Sequence, residues 1–144
     1  MILFTIGFAE KSAEEFFGLL TQNQVKRLLD IRLNNKSQLA GFTNIKHLPY
    51  FLKLHGMEYH YLKEYAPTKE LLDGYKGGTI PWERYEKTYL KLLKERDVLA
   101  GVDWGLLSHA VLLCSEPTPE HCHRRLLAEY LAKNGKNLTV RHLG

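Results

Sequence analysis

Leu112-Leu113-Cys114-Ser115-Glu116-Pro117-Thr118-Pro119-Glu120-His121-Cys122-His123-Arg124-Arg125 is the stretch that decides the fold. It opens on the end of an apolar run, Ala110–Cys114, that is too short for a helix and so reads as a strand. A polar, proline-containing turn follows. Beyond it Leu126, Leu127, Tyr130 and Leu131 recur with helical period. Thr118 suits an N-cap and Pro119 a first helical position, so the spacing predicts a helix beginning at Pro119. At about 100° per residue His123 falls on the apolar stripe in the first turn, with Cys122 and Arg124 to either side and His121 and Arg125 toward solvent.

The same grammar of short apolar run, turn and amphipathic segment repeats along the chain. Strands are expected at Ile2–Ile6, Val25–Arg32, Met57–Leu62, Ala110–Cys114 and Leu138–His142. Helices are expected after the capping box Ser12-Ala13-Glu14-Glu15, over Pro49–His55 and Thr68–Lys76, and from Pro81 to Arg96. Leu33–Asn44 is polar and glycine-containing, which suits a loop. Strands alternating with helices imply an α/β fold in three layers, with about five mainly parallel strands and helices on both faces. The expected strand order is the Rossmann-like 3-2-1-4-5. There is no internal repeat and no linker, so residues 1–144 read as one α/β domain.

In open α/β sheets, ligands bind beyond the carboxyl ends of the strands, where the strand order reverses. Gly7 follows the first strand. Asp30 and Arg32 end the second, two apart and so on one face. The fourth runs into Cys114 and Glu116. These exits should converge on one cleft, together with Cys122, His123 and Arg124 at the start of the last helix. A helix N-terminus favours an anion and lowers the pKa of a nearby thiol. Asp30, Cys114, Glu116, Cys122 and His123 are therefore the candidate catalytic residues, and Gly7, Arg32 and Arg124 the candidate anion-binding ones.

Composition narrows the classes of function. The 144 residues are 44% hydrophobic and 25% charged, with a net charge of +4. These are ordinary globular proportions that tolerate an anionic partner without demanding one. The apolar start Met1–Gly7 has no basic flank and is too short for a signal peptide. Nothing approaches the roughly 18 apolar residues of a membrane span. Two cysteines among several histidines suit a reducing compartment better than a disulfide scaffold, so a cytoplasmic location is expected.

Four chemistries fit these residues. The first is an enzyme acting on a phosphate-bearing ligand, a nucleotide or nucleic acid. Arg32 and Arg124 would hold the phosphate, with Glu116 or Asp30 as base or as ligand to a carboxylate-bound divalent metal. No cofactor motif is present. Arg84, Lys87, Lys91 and Lys94 form a basic stripe on the Pro81–Arg96 helix, which would track phosphates if the partner is nucleic acid and is otherwise a solvated face. The second is a thiol-dependent enzyme using Cys114 or Cys122, in the manner of rhodanese or phosphatase loops. Its Arg, however, lies ten residues after Cys114, where those loops place one at six. The third is a metal module using Cys114, Cys122 and His123. Successive helical residues diverge too far for His121, Cys122 and His123 to share one ion, so no metal ligand is assigned. The fourth is an interaction module without catalysis.

Thr5-Ile6-Gly7, Leu29-Asp30-Ile31-Arg32, Leu112–Glu116 and Glu120–Arg124 together resemble the family called domain of unknown function 488. Cys-x-Glu followed by Cys-His-Arg is the most specific part. Asp30–Phe42 with Ala66-Pro67-Thr68-Lys69-Glu70 is similar to one subgroup. The chain departs from many members at Phe8, where they carry histidine, and at Asn34-Asn35-Lys36-Ser37, where they carry Pro with further Arg or Ser. The resemblance supports the site and implies no established activity.

Overall fold

The computed structural model describes residues 1–36, 40–135 and 137–144; Ser37 and part of the expected 33–44 loop lie outside the described residues. Five parallel strands form the sheet: β1 (Ile2–Gly7), β2 (Arg27–Asp30), β3 (Glu58–Tyr61), β4 (Ala110–Cys114) and β5 (Thr139–His142). Among the described residues five α-helices surround it: α1 (Ala13–Gln22), α2 (Leu48–Leu54), α3 (Lys69–Lys76), α4 (Trp82–Glu95) and α5 (His123–Asn134). The α/β class, the parallel sheet and the three layers are as expected from the sequence.

The strand order is β3-β2-β4-β1-β5. This corrects the expected 3-2-1-4-5, because β4 lies between β1 and β2 and does not lie outside β1. All five residues of β4 are buried, as a strand covered on both faces requires. The more polar β3 and β5 take the edges. β1 is almost equally apolar, so pattern alone could not choose which of the two takes the centre.

Handedness then assigns the helices to faces. From β1 to β2 to β3 the chain steps one way across the sheet, and from β3 to β4 to β5 it steps back. Right-handed crossovers place helices on opposite faces for opposite directions of travel. Accordingly Phe16, Phe17 and Leu20 of α1, with Leu48 and Leu52 of α2, pack on Phe4, Ile6, Leu28, Val111 and Leu113. On the other face Leu71, Tyr85, Tyr89, Leu93, Leu126 and Leu127 pack on Leu3, Leu29, Ala110 and Leu112.

Local signals hold where they are strong. Ser12 and Glu15 make the reciprocal capping box of α1, and Thr68 caps α3 through the Leu71 amide. The last helix departs from expectation. It begins at His123, with Cys122 as an extended N-cap, and does not begin at Pro119. Arg124 Nη1 donates to the Glu116 carbonyl at 2.6 Å, and the His121 ring stacks on Trp82 with centroids 4.8 Å apart. These tertiary contacts hold residues 116–122 as a loop over the helix start, against the local capping signal.

Among the described residues no helix is long and apolar enough to cross a membrane.

Candidate active site

β4 sends its exit loop to α5 on one face of the sheet. Its neighbours β1 and β2 send theirs to α1 and α2 on the other. The end of β4 is thus flanked by divergent loops on both sides, which opens a crevice at Cys114. A cleft of about 480 Å³ lies there, lined among others by Cys114, Glu116, Cys122, His123 and Arg32.

Cys114, one residue beyond the Leu113–Asp30 register, follows Ala110 and Leu112 on the face covered by α4 and α5. His123, in the first turn of α5, is buried against it. Its Nε2 lies 2.8 Å from the carbonyl of Ile31, just past β2. A carbonyl oxygen only accepts, so Nε2 carries the hydrogen and Nδ1 is left with its lone pair. That Nδ1 is 3.5 Å from Cys114 Sγ. Tyr89 packs edge-on to the imidazole with centroids 5.5 Å apart, further fixing the ring.

Cys122 completes the cluster. The ligating atoms of Cys114, Cys122 and His123 all lie within 4.8 Å of one another, and all three side chains are buried. Both cysteines are free thiols. The angular argument against a shared ion fails for Cys122, because its backbone is extended (φ −137°, ψ 140°) and not helical. These three could hold a soft metal ion.

The thiols are electrostatically unequal. A hydrogen bond from Cys122, then the charge and hydrogen bond of His123, hold Cys114 well below the usual thiol range despite its burial. Burial, then the neighbouring Cys114, pushes Cys122 well above it. Burial by itself lowers His123, but the Cys114 thiolate and the Ile31 carbonyl outweigh it, so the imidazole is raised overall.

The other candidate residues have different surroundings. Asp30 is fully buried and both its oxygens are engaged. Arg32 Nε donates to Oδ1 at 2.8 Å, Arg32 Nη2 to Oδ2 at 2.9 Å, and the Tyr59 hydroxyl to Oδ2 at 2.7 Å. Asp30 is not among the residues lining the cleft; Arg32 is. Arg32 Nη2 also donates to the Thr43 carbonyl at 2.7 Å, while Nη1 has no partner among the described residues.

Arg124 is fully buried and lies beneath the loop. Besides the Glu116 carbonyl it donates from Nε to Thr5 Oγ1 at 3.3 Å, and it does not line the cleft. Gly7 faces the same loop: a Cβ there would stand 1.5 Å from the Glu116 carbonyl oxygen. Glu116 itself is exposed at the cleft, with its side chain in no ion pair among the described residues.

Lys11, Phe42, Lys76, Tyr75 and Tyr85 also line the cleft, and sequence reasoning missed them as site residues. Tyr85 stood on the apolar stripe of α4, a signal that does not separate a cleft wall from core. Nothing local places α3, and hence Tyr75 and Lys76, above the end of β4.

The chain belongs to the family described as Domain of unknown function DUF488, whose model matches residues 12–131. No curated protein and no solved structure matches it significantly.

Proposed function

We propose that this member of a family without assigned activity is a thiol-dependent enzyme with Cys114 as its nucleophile. The observation that carries the reading is the geometry of His123. Its Nε2 is committed to the Ile31 carbonyl, so the only basic nitrogen it offers faces Cys114 Sγ at 3.5 Å. A nucleophile, a base and a third group that fixes the base are the parts nucleophilic catalysis needs, with a backbone carbonyl here as the third. The helix N-terminus beside them adds a field that favours thiolate. Exposed Glu116 stands within the same cleft as a carboxylate for proton transfer to or from the substrate.

The cleft also supports a second reading, a phosphate-bearing ligand such as a nucleotide. It is favoured by the unpartnered Nη1 of Arg32, with Lys11 and Lys76 on the same lining and the aromatic faces of Phe8, Phe42 and Tyr75 beside them. Arg124 then serves as a positioning residue for the 116–122 loop. The two readings are compatible: the anionic group would anchor what the thiol attacks. Free thiols at the centre of the site fit a reducing compartment, in keeping with a cytoplasmic location.

The test is alkylation with iodoacetamide at pH 7, mapped by peptide mass spectrometry. Cys114 should label faster than Cys122 and faster than free cysteine, and His123→Gln should remove that advantage. Preferential labelling of Cys122, or a Cys114 rate indifferent to His123, would overturn the reading. For the anionic ligand, a thermal-shift screen across nucleotides should give a shift that Lys11→Ala/Lys76→Ala abolishes. A shift that survives the double variant sinks the second reading.

A further inference from the structure

The Cys114–His123 contact has a second chemical meaning. A tetrahedral ion with bonds of about 2.3 Å to sulfur and about 2.0 Å to nitrogen sets those two donors roughly 3.5 Å apart. Cys114 Sγ and His123 Nδ1 are 3.5 Å apart, with Cys122 Sγ within 4.8 Å of both. Metal-ligating histidines characteristically donate their other ring N–H to a carbonyl or carboxylate, which fixes the ring. The Ile31 carbonyl fills that position at 2.8 Å.

Two sulfurs and one imidazole are a soft donor set, suited to zinc or cadmium and unsuited to magnesium or calcium. All three residues also line the cleft, which leaves room for a fourth ligand from that side.

We infer that Cys114, Cys122 and His123 form a site for one soft divalent ion with its fourth position open to the cleft, and that the ion and a reactive substrate compete for Cys114. Binding forms two metal–sulfur bonds and one metal–nitrogen bond and releases two protons to solvent. One comes from the Cys122 S–H bond. The other is the proton that Cys114 Sγ and His123 Nδ1 hold between them, whose loss frees both the sulfur and the Nδ1 lone pair for the ion. Once the Cys114 sulfur is coordinated, one of its lone pairs is held by the ion and the cation draws charge from the others, so its attack on an electrophile is slowed. The competition, unlike the binding, rests on the reading of Cys114 as nucleophile.

Cadmium is the probe for binding, because thiolate coordination gives it an ultraviolet charge-transfer absorption. Metal-free protein should take up one equivalent with that absorption. Cys122→Ser should diminish the band and weaken binding at least about tenfold. This variant keeps the fold, since serine is a favoured N-cap, and circular dichroism checks it. Cys114→Ser should act likewise.

In the second arm, one equivalent of zinc should suppress iodoacetamide labelling of Cys114, and a chelator should restore it. No charge-transfer band, or a band unchanged in Cys122→Ser, overturns the metal site. A cadmium site in a protein whose metal-free Cys114 shows no selective labelling would overturn the nucleophile and leave the metal standing. Selective labelling without cadmium binding would do the reverse. Labelling unaffected by bound zinc overturns the competition.

Discussion

Asp30 and Cys114 reach the same edge of the sheet on adjacent strands, yet stand on opposite faces of it. Asp30 pairs in register with Leu113, so Cys114 is one residue further along and, by the pleat, turned the other way. Leu28 shares the α1–α2 face with Asp30, while Leu112 shares the α4–α5 face with Cys114. Two residues expected to act together are thereby separated into a buried ion pair and a thiol cluster. Arg32 connects them, holding Asp30 and lining the cleft.

The Asp30–Arg32 pair gives the first prediction. Removing one partner leaves a buried charge without compensation, whereas replacing both with apolar residues removes the need for it. Arg32→Ala should cost about 3–5 kcal/mol, and Asp30→Leu/Arg32→Met substantially less. Urea unfolding of the three variants decides; a double variant as destabilised as Arg32→Ala would contradict the account.

Gly7 is set by approach and not by backbone angle. Its Cβ would fall 1.5 Å from a main-chain oxygen, which cannot swing aside like a side-chain end. Gly7→Ala should therefore cost about 3 kcal/mol or more, at the upper end of overpacking. Equilibrium denaturation should show it, together with faster amide exchange over residues 114–122. A change within about 0.5 kcal/mol, the range of neutral surface substitutions, would show that the loop can move.

His142 gives the pH dependence. Thr5 Oγ1 accepts from Arg124 Nε and lies 2.6 Å from His142 Nδ1; when that nitrogen carries no hydrogen, the Thr5 hydroxyl donates to it. Burial, then the charge of Arg124, lowers the His142 pKa, with Glu129 opposing and Arg125 assisting. A lowered folded value means that the unfolded chain takes up this proton first. Stability from this group is therefore complete above the unfolded value near 6.5 and is lost as pH falls through the window below it. The melting temperature should decline below that pH, and His142→Gln should flatten the decline. An identical pH profile in the variant would remove the assignment.

Arg84, Lys87, Lys91 and Lys94 are all exposed on α4, opposite the buried Tyr85, Tyr89 and Leu93. Lys91 pairs with Glu95 at 3.7 Å on the surface. Lys87→Glu/Lys91→Glu should shift stability by no more than about 0.5 kcal/mol. It should also leave any ligand-induced thermal shift from the cleft unchanged. Loss of oligonucleotide binding by fluorescence anisotropy in this variant would instead assign the stripe to a nucleic-acid surface.

What the sequence determined by itself is what local chemistry determines. Apolar runs too short for a helix marked the strands, and apolar residues recurring with period 3.6 marked the helices, because both signals lie within a few neighbouring residues. Ser12 with Glu15, and Thr68, marked helix starts because a cap needs only its own turn. Cys114, Cys122 and His123 could be read as one site because a strand end and the following helix start must meet at the sheet's carboxyl edge. Tertiary structure decided the rest. β1 and β4 are both apolar, so only the packing of all five strands chose β4 for the centre. Thr118 and Pro119 signal a helix start, but buried Arg124 takes the Glu116 carbonyl and moves that start to His123. Asp30 was drawn from the cleft by partners 2 and 29 positions away, Arg32 and Tyr59. His123 acquired its tautomer from a carbonyl 92 residues distant in sequence. Such a hydrogen bond leaves no trace in local pattern, because its partners become neighbours only when the sheet closes.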